Sequence, residues 1–140
     1  MNTDSKSGGF ARHRPTAARL LLGLLFFVTG LNGFLNFLPR PATMPEGVAA
    51  FSVALLNTHY MMPLIMGTQL AAGVLLLVNR FVPLALALLA PVIVNIIGFH
   101  LFLDPAGIGP GTFALILELY LAWKYREVYR TMLAMRAPIR

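Results

Sequence analysis

The chain has 140 residues, 58% of them hydrophobic and 11% charged, whereas charged residues make up about a quarter of an ordinary soluble domain. It contains no cysteine, which excludes a disulfide framework, a thiolate metal site and a dithiol redox centre. The formal net charge of +6 comes from basic residues that flank apolar runs, so anionic lipid headgroups are expected as counterions and nucleic acid is not.

The first apolar run predicts a transmembrane helix. Residues 1–16 are polar, basic and without apolar periodicity, which predicts a flexible cytoplasmic tail. The run from Ala17 to Leu38 follows, and about 22 residues form a helix of about 33 Å, enough to cross a hydrocarbon core of about 30 Å. The next residues, PRPATMP, contain no convincing signal-peptide cleavage site. We therefore expect an uncleaved first span.

A short helix is predicted between the first and second spans. Thr43 and Glu46 have the spacing of a capping box and precede the apolar segment GVAAFSVALLNT. We expect this helix to lie in the membrane interface. The alternative is that it forms the upper part of the second span.

Three further spans complete the prediction. The second extends from Tyr60 to Val78 and the third from Val82 to Leu103, and the residues between them allow only a tight turn. A Gly- and Pro-rich connection then precedes a shorter fourth span from Thr112 to Trp123. Residues 17–127 should thus form an all-α, antiparallel bundle of four transmembrane helices, and residues 128–140 a basic cytoplasmic extension that stays helical for some turns.

The distribution of basic residues predicts the orientation. One side of the predicted bundle carries ten of them, Lys6, Arg12, Arg14, Arg19, Arg80, Lys124, Arg126, Arg130, Arg136 and Arg140, and the other side carries Arg40 alone. Cytoplasmic loops carry the excess of Lys and Arg. Both termini are therefore expected in the cytoplasm.

Polar side chains within the spans predict a site. Six are expected in the outer half of their spans, and the seventh, Asp104, directly follows the third span; the seven are Asn32, Asn36, Gln69, Asn95, His100, Asp104 and Glu118. Because residues four apart share a helix face, Asn32 lies with Asn36, and His100 with Asp104. Polar groups in hydrocarbon are costly, so a polar cavity that opens outward is expected. The alternative for the amides is a structural role, as hydrogen bonds between helices.

Glu118 is ionisable and has no Lys or Arg in its own span. It must be protonated, hydrated or paired, and we expect it to face the bundle interior and share a proton with His100. The side chains of His59, His100, Asp104 and Glu118 are of types that bind zinc, iron or manganese, but no compact ligand motif is present and no metal site is predicted.

Three stretches carry a family resemblance: GLLFFVTGLNGFLNFLP, PLIMGTQLAAGVLLLVNRFVPLALALLAPVIVNIIGFHLFLDPAGIGPG and ELYLAWKYREVYR. They resemble the DoxX-like family of small bacterial four-helix membrane proteins over the residues from Arg19 to Tyr129. The most specific element is NRFVPLALALLAPVIVNI followed by FHLFLDP, because generic apolar spans would not repeat its polar residues.

The resemblance implies a set of functions. DoxX-like proteins include components of quinone-linked sulfur-oxidising complexes, and others are linked to thiol and oxidative-stress handling and to membrane-protein assembly. The residues carried over are Asn32, Asn36, Asn95, His100, Asp104 and Glu118. Many relatives have Glu at the position of Gln69, a departure that removes an ionisable partner.

Two hypotheses follow for the function. In the first, the protein is a quinone-associated, non-catalytic membrane subunit of a respiratory or oxidative-stress oxidoreductase, with quinone bound without a covalent bond. In the second, it is an assembly or interaction partner that binds a transmembrane helix of another protein. No nucleophile, metal motif or phosphate loop indicates an enzyme in its own right. The expected partners are lipid, another membrane or periplasmic protein, and further copies of this chain.

Overall fold

The computed structural model describes residues 7–134, and all regular structure there is helical. The helices are α1 (Ser7–Leu35), α2 (Glu46–Asn57), α3 (Met61–Leu77), α4 (Val82–Phe102), α5 (Ile108–Lys124) and α6 (Arg126–Met132), with a single 3-10 turn at Pro105–Gly107 before α5. The predicted all-α class is confirmed.

The helices are those of a multi-pass membrane protein. Within the described part of the chain, three segments are long and apolar enough to cross a bilayer, His13–Leu35, Val82–Phe102 and Pro105–Lys124. A fourth span exists if α2 and α3, which meet at an angle of 93°, count as one broken span. The fold therefore provides three or four membrane crossings.

Helix α1 begins earlier and ends earlier than predicted. It begins at Ser7, inside the segment predicted to be a flexible tail, and contains Pro15; residues 1–6 lie outside the described range. Adding residues to an existing helix costs little, so the absence of apolar periodicity did not stop the helix. The helix ends at Leu35 because Asn36 takes a left-handed conformation with φ of 51° and donates its N–H to the Asn32 carbonyl at 2.8 Å.

The start signals of two other helices were misinterpreted. Helix α5 begins at Ile108 and not at Thr112, so part of the Gly- and Pro-rich connection is helical. Pro110 is tolerated because it lies in the first turn, where its missing N–H would have no partner in the helix. The predicted capping box does not form, since Pro45 is the N-cap of α2 and no side chain caps that helix.

In the part that the structure describes, the C-terminal extension is helical up to Met132, and the apolar residues of this segment differ in burial. The helical conformation is interrupted at Tyr125, between α5 and α6. Tyr125 and Tyr129 pack against the core, whereas Val128, Met132 and Leu133 are exposed. Residues 135–140 of the extension lie outside the described part.

A tight turn joins α3 to α4, as the sequence predicted. Asn79 is left-handed, with φ of 56°, and donates its N–H to the Leu76 carbonyl at 3.3 Å. Arg80 donates to the Leu75 carbonyl at 3.0 Å. These two bonds are those of a Schellman motif, which satisfies the last carbonyls of α3.

Helices α1 and α3 approach each other through glycines. A Cβ atom on Gly30 would lie 2.5 Å from the Leu70 nitrogen, and one on Gly73 would lie 2.5 Å from the Phe27 nitrogen. Gly23 meets Leu77 further along, so α1 and α3 run in opposite directions. We call Gly23, Gly30 and Gly73 the glycine seam. Without side chains there, the two backbones come into direct contact.

The buried core lies on one side of this helix pair. Its fully buried large side chains come from α1, α3, α4 and α5 and are Leu22, Phe26, Leu76, Leu86, Leu89, Ile93 and Leu121. Helix α2 contributes no buried residue. The four longer helices therefore form the packed unit, and α2 is attached at its edge.

The glycine seam yields a prediction on stability. Gly73→Ala should lower the free energy of unfolding in detergent by about 1–3 kcal/mol, because the added methyl group meets the backbone of α1. The control is Gly67→Ala on the same helix, where a Cβ atom has no neighbour within 4 Å; it should be neutral or stabilise by up to about 1 kcal/mol. Thermal unfolding followed by circular dichroism measures both. Equal melting temperatures for the two variants would contradict direct contact between the backbones.

Candidate functional site

A cavity of about 620 Å³ lies among α1 to α5. Its wall is mainly apolar, and its residues include Phe26, Phe51, Leu55, Met62, Ile65, Met66, Val92, Ile96, Phe99 and Ala114. Four of the seven predicted site residues line it, Asn32, Gln69, Asn95 and His100. The structure thus brings together polar residues from three helices at what we call the central cavity.

Gln69 is tied to α1 through Thr29. The side chain of Gln69 is buried, and its Oε1 position lies 2.9 Å from the Thr29 hydroxyl oxygen. The same hydroxyl lies 2.9 Å from the Leu25 carbonyl. The Thr29 hydroxyl is the donor in both contacts, and the Gln69 amide oxygen and the Leu25 carbonyl oxygen are the acceptors that share its one proton. This bond links α1 and α3 in the wall of the central cavity.

His100 is held by the loop before α5. Its Nδ1 lies 3.1 Å from the Asp104 carbonyl oxygen and 3.5 Å from Asp104 Oδ2. A carbonyl can only accept, so Nδ1 carries a proton, and in the tautomer that is protonated at Nδ1 alone the Nε2 atom is an acceptor. Gly107 closes this corner, because a Cβ atom there would lie 2.5 Å from Asp104 Oδ2. The imidazole also packs edge-on against Phe99, with ring centroids 5.1 Å apart.

The two asparagines of α1 serve the end of that helix. Asn32 Oδ1 accepts from the Leu38 N–H at 2.7 Å, although the residue also lines the central cavity. Asn36 is exposed, accepts from the Arg40 guanidinium and does not line the cavity. The left-handed backbone of Asn36 gives it a conformational role. Asp104 likewise does not line the cavity, but its side chain contacts His100.

Asn95 lies in the second half of α4. Its amide nitrogen donates to the Pro91 carbonyl, one turn earlier, at 2.9 Å. That bond fixes the orientation of the amide at the cavity wall, so that the Oδ1 atom is left as an acceptor. Asn95 is exposed, unlike Gln69, and therefore lies where the cavity meets the surroundings of the protein.

Glu118 faces the bundle interior, as predicted, but it does not pair with His100. The side chain is 5% exposed, and its Oε2 atom has no hydrogen-bond partner among the described residues. It shares a buried stripe of α5 with Gly111 and Ala114 and lies one turn beyond the cavity wall. The prediction failed because α5 begins at Ile108, which places Glu118 about 15 Å from the outer end of α5.

Tyr129 lies on the side of Glu118 away from the central cavity. Its hydroxyl donates to the Pro83 carbonyl at 2.6 Å and so attaches α6 to the start of α4. Burial raises the pKa of Tyr129 to about 12, and the charges of Glu118 and Tyr125 add to the rise. Glu118 therefore lies between the cavity and the α6 end of the bundle.

His59 lies apart from the other titratable residues of the site. It is exposed, in a left-handed conformation with φ of 61°, in the bend between α2 and α3. Within residues 7–134 no group of three or more His, Cys, Asp or Glu side chains is arranged to hold a metal ion.

Comparison with known proteins identifies the family. The family model described as DoxX matches residues 15–104, which is more than half of the chain. The chain belongs to the DoxX family. The matched range includes the four predicted site residues that line the central cavity, whereas α5 with Glu118 lies beyond its end. No curated protein and no solved structure matches this DoxX protein.

Two parts of the central cavity of this DoxX protein were not predicted from the sequence. Thr29 lies three residues before Asn32, so helical spacing could have added it to the polar face of α1. Phe51, Ser52 and Leu55 of α2 line the central cavity, although the sequence placed α2 only in the interface. A helix in the interface implies a large angle to α3, such as the observed 93°, but no signal in the sequence shows that α2 lies beside the cavity.

Glu118 yields a prediction on stability. Glu118→Leu should raise the free energy of unfolding of this DoxX protein by about 1–3 kcal/mol, because it removes a buried polar atom that has no partner. Gln69→Leu is the matched control, since Gln69 is equally buried but bonded, and it should cost about 1 kcal/mol. Both are measured by thermal unfolding in detergent. A loss of stability in Glu118→Leu would show that the carboxyl group has a stabilising partner.

Proposed function

We propose that α1, α3, α4 and α5 cross a bacterial inner membrane as an antiparallel four-helix bundle, with α2 in the interface and both termini in the cytoplasm. The angle of 93° between α2 and α3 and the absence of buried residues on α2 support this placement. The orientation is supported by the distribution of basic residues, of which ten lie on the proposed cytoplasmic side and one on the other side. At the basic end, Lys124 and Arg126 pack over the Trp123 ring, with distances of 5.1 and 4.8 Å to its centroid, as is typical of a membrane interface.

The topology can be tested with reporter fusions. Reporters after Arg140 and in the turn at Arg80 should report the cytoplasm, and one at Ala42 should report the periplasm. The reason is that Lys and Arg are retained on the cytoplasmic side during insertion. Activity of paired periplasmic and cytoplasmic reporters at each position provides the control. A periplasmic Arg140 fusion would exclude an even number of spans with a cytoplasmic N-terminus.

For the biochemical role, we propose that the central cavity binds the headgroup of a quinone and that the protein is a non-catalytic membrane subunit of an oxidoreductase. The supporting observation is an apolar cavity of about 620 Å³ with a few fixed polar groups, the character of sites for small apolar ligands, which span about 300–1,000 Å³. A quinone headgroup is a flat apolar ring with two opposed carbonyl oxygens, which matches such a lining.

The cavity residues can bind a ligand through hydrogen bonds. Asn32 has an amide nitrogen with no partner among the described residues, and it can donate to a ligand carbonyl. His100 Nε2 can accept a hydrogen bond from a ligand hydroxyl, while Nδ1 stays bonded to Asp104. The chain has no cysteine to carry electrons, so in this proposal a partner protein exchanges them with the ligand.

Quinone binding can be measured directly by isothermal titration calorimetry on the purified protein in detergent, with a soluble quinone that has no chain. The wild type should bind it. His100→Phe keeps a ring against Phe99 but removes Nε2, so affinity should fall about tenfold, the equivalent of one hydrogen bond. His59→Asn, outside the cavity, should bind as the wild type does. Absence of binding in the wild type would refute the quinone proposal.

Purification in mild detergent separates the two hypotheses for the role in the cell. Mass spectrometry of the eluate should find a quinone together with an oxidoreductase subunit. If the eluate instead contains a membrane protein of another kind and no quinone, the function is that of an assembly partner. In that case the exposed apolar surface would be the site of interaction.

A further inference from the structure

A second cavity, of about 450 Å³, lies against α4 beside the central cavity. It is lined by Phe51, Val94, Asn95, Gly98, Phe99, Phe102 and Leu103. We call it the side groove. Phe51, Asn95 and Phe99 line both the side groove and the central cavity. The two spaces are therefore adjacent, and these three residues lie between them.

The side groove lies on the surface that α4 turns away from the core. Val94 is 66% exposed and Phe102 is 86% exposed, whereas Leu89 and Ile93 of the same helix are buried. Apolar residues exposed on a membrane-spanning helix face lipid. A Cβ atom on Gly98 would have no neighbour within 4 Å, so the floor of the groove is open. The surface fits a hydrocarbon chain that lies along α4.

The side chains between the two spaces are not tightly packed. Phe51 comes from α2, which has no buried residue, and it packs against Phe99 with ring centroids 5.5 Å apart. Phe51 is itself 43% exposed. Rotation of a partly exposed side chain is fast and costs little compared with movement of a packed core. A ligand can therefore pass between α2 and α4 without separating the core helices.

The charge of the central cavity restricts the headgroup. Among the described residues that line it there is no Lys, Arg, Asp or Glu. A phosphate group would therefore be desolvated without a cation to bind it, which is costly in an apolar cavity. An uncharged headgroup with oxygen atoms can form hydrogen bonds with the amide and imidazole groups there. The lining therefore favours a neutral amphiphile over a phospholipid.

We propose that the two spaces hold one molecule, a quinone with its headgroup in the central cavity and its apolar chain in the side groove. The molecule enters laterally from the lipid, between α2 and α4, past Phe51. This inference rests on the proposed quinone function and adds to it the route of entry and the site of the chain. The shared wall residues make the two spaces continuous, which a ligand with both a head and a chain requires.

The test compares a quinone that has a methyl group in place of the chain with one that has a decyl chain, by calorimetry in detergent. Gly98→Leu adds a side chain to the open floor of the side groove, where its Cβ atom would have no neighbour within 4 Å. It should weaken binding of the decyl quinone about tenfold, the equivalent of about two methylene groups excluded from the groove. Binding of the methyl quinone should not change. Gly67→Leu is the matched control, because a Cβ atom there also has no neighbour within 4 Å and the residue lines neither space.

A second variant keeps the test decisive if Gly98→Leu does not fold. Phe102→Ala removes a highly exposed wall of the groove, so it should fold and weaken the decyl quinone several-fold. Equal losses for the two quinones, or no loss for either, would overturn the assignment of the chain and leave the quinone function standing. Failure of the wild type to bind both quinones would refute the function itself. Native mass spectra that show a phospholipid retained by the wild type and lost from Gly98→Leu would overturn the neutral headgroup.

Discussion

The direct contact between the backbones of α1 and α3 is the constraint on which the rest of the structure depends. Gly30 and Gly73 leave no room for a side chain, so the two helices are held in a single register. That register places Thr29 opposite Gln69 and allows their hydrogen bond. It also places the Arg19 guanidinium at the Leu76 and Leu77 carbonyls, where a cation favours the C-terminal end of α3. The wall of the central cavity is therefore set by residues that take no part in binding.

The helices could be predicted from the sequence because hydropathy reports burial in lipid directly. The second and third spans agree with α3 and α4 to within one residue at each end. The ends of α1 and α5 could not be predicted as well, since they depend on local backbone geometry. Asn36 stops α1 by taking a left-handed conformation, and Pro110 enters α5 because the first turn needs no N–H from it. Composition alone would assign both segments to loops.

The candidate site could be predicted in part. Polar groups inside a span are costly, and this cost identified Asn32, Gln69, Asn95 and His100 as site residues. The structure places all four in the wall of one cavity. The pairing of His100 with Glu118 was wrong because depth was counted from an incorrect start of α5. An error of four residues at a helix end moves a side chain by about 6 Å along the axis, which is more than a hydrogen bond can span.

The short length of α3 has a consequence for the surrounding bilayer. Its 17 residues span about 26 Å, less than the hydrocarbon thickness of about 30 Å. In the proposed topology, α2 turns away at the 93° bend and does not extend α3, so a recess lies above α3. Lipids beside this recess have to tilt or shorten to cover it, at a fraction of a kcal/mol per Å. The bilayer should therefore be locally thin next to the central cavity, and a molecule dissolved in the membrane would reach polar side chains there without crossing a full leaflet.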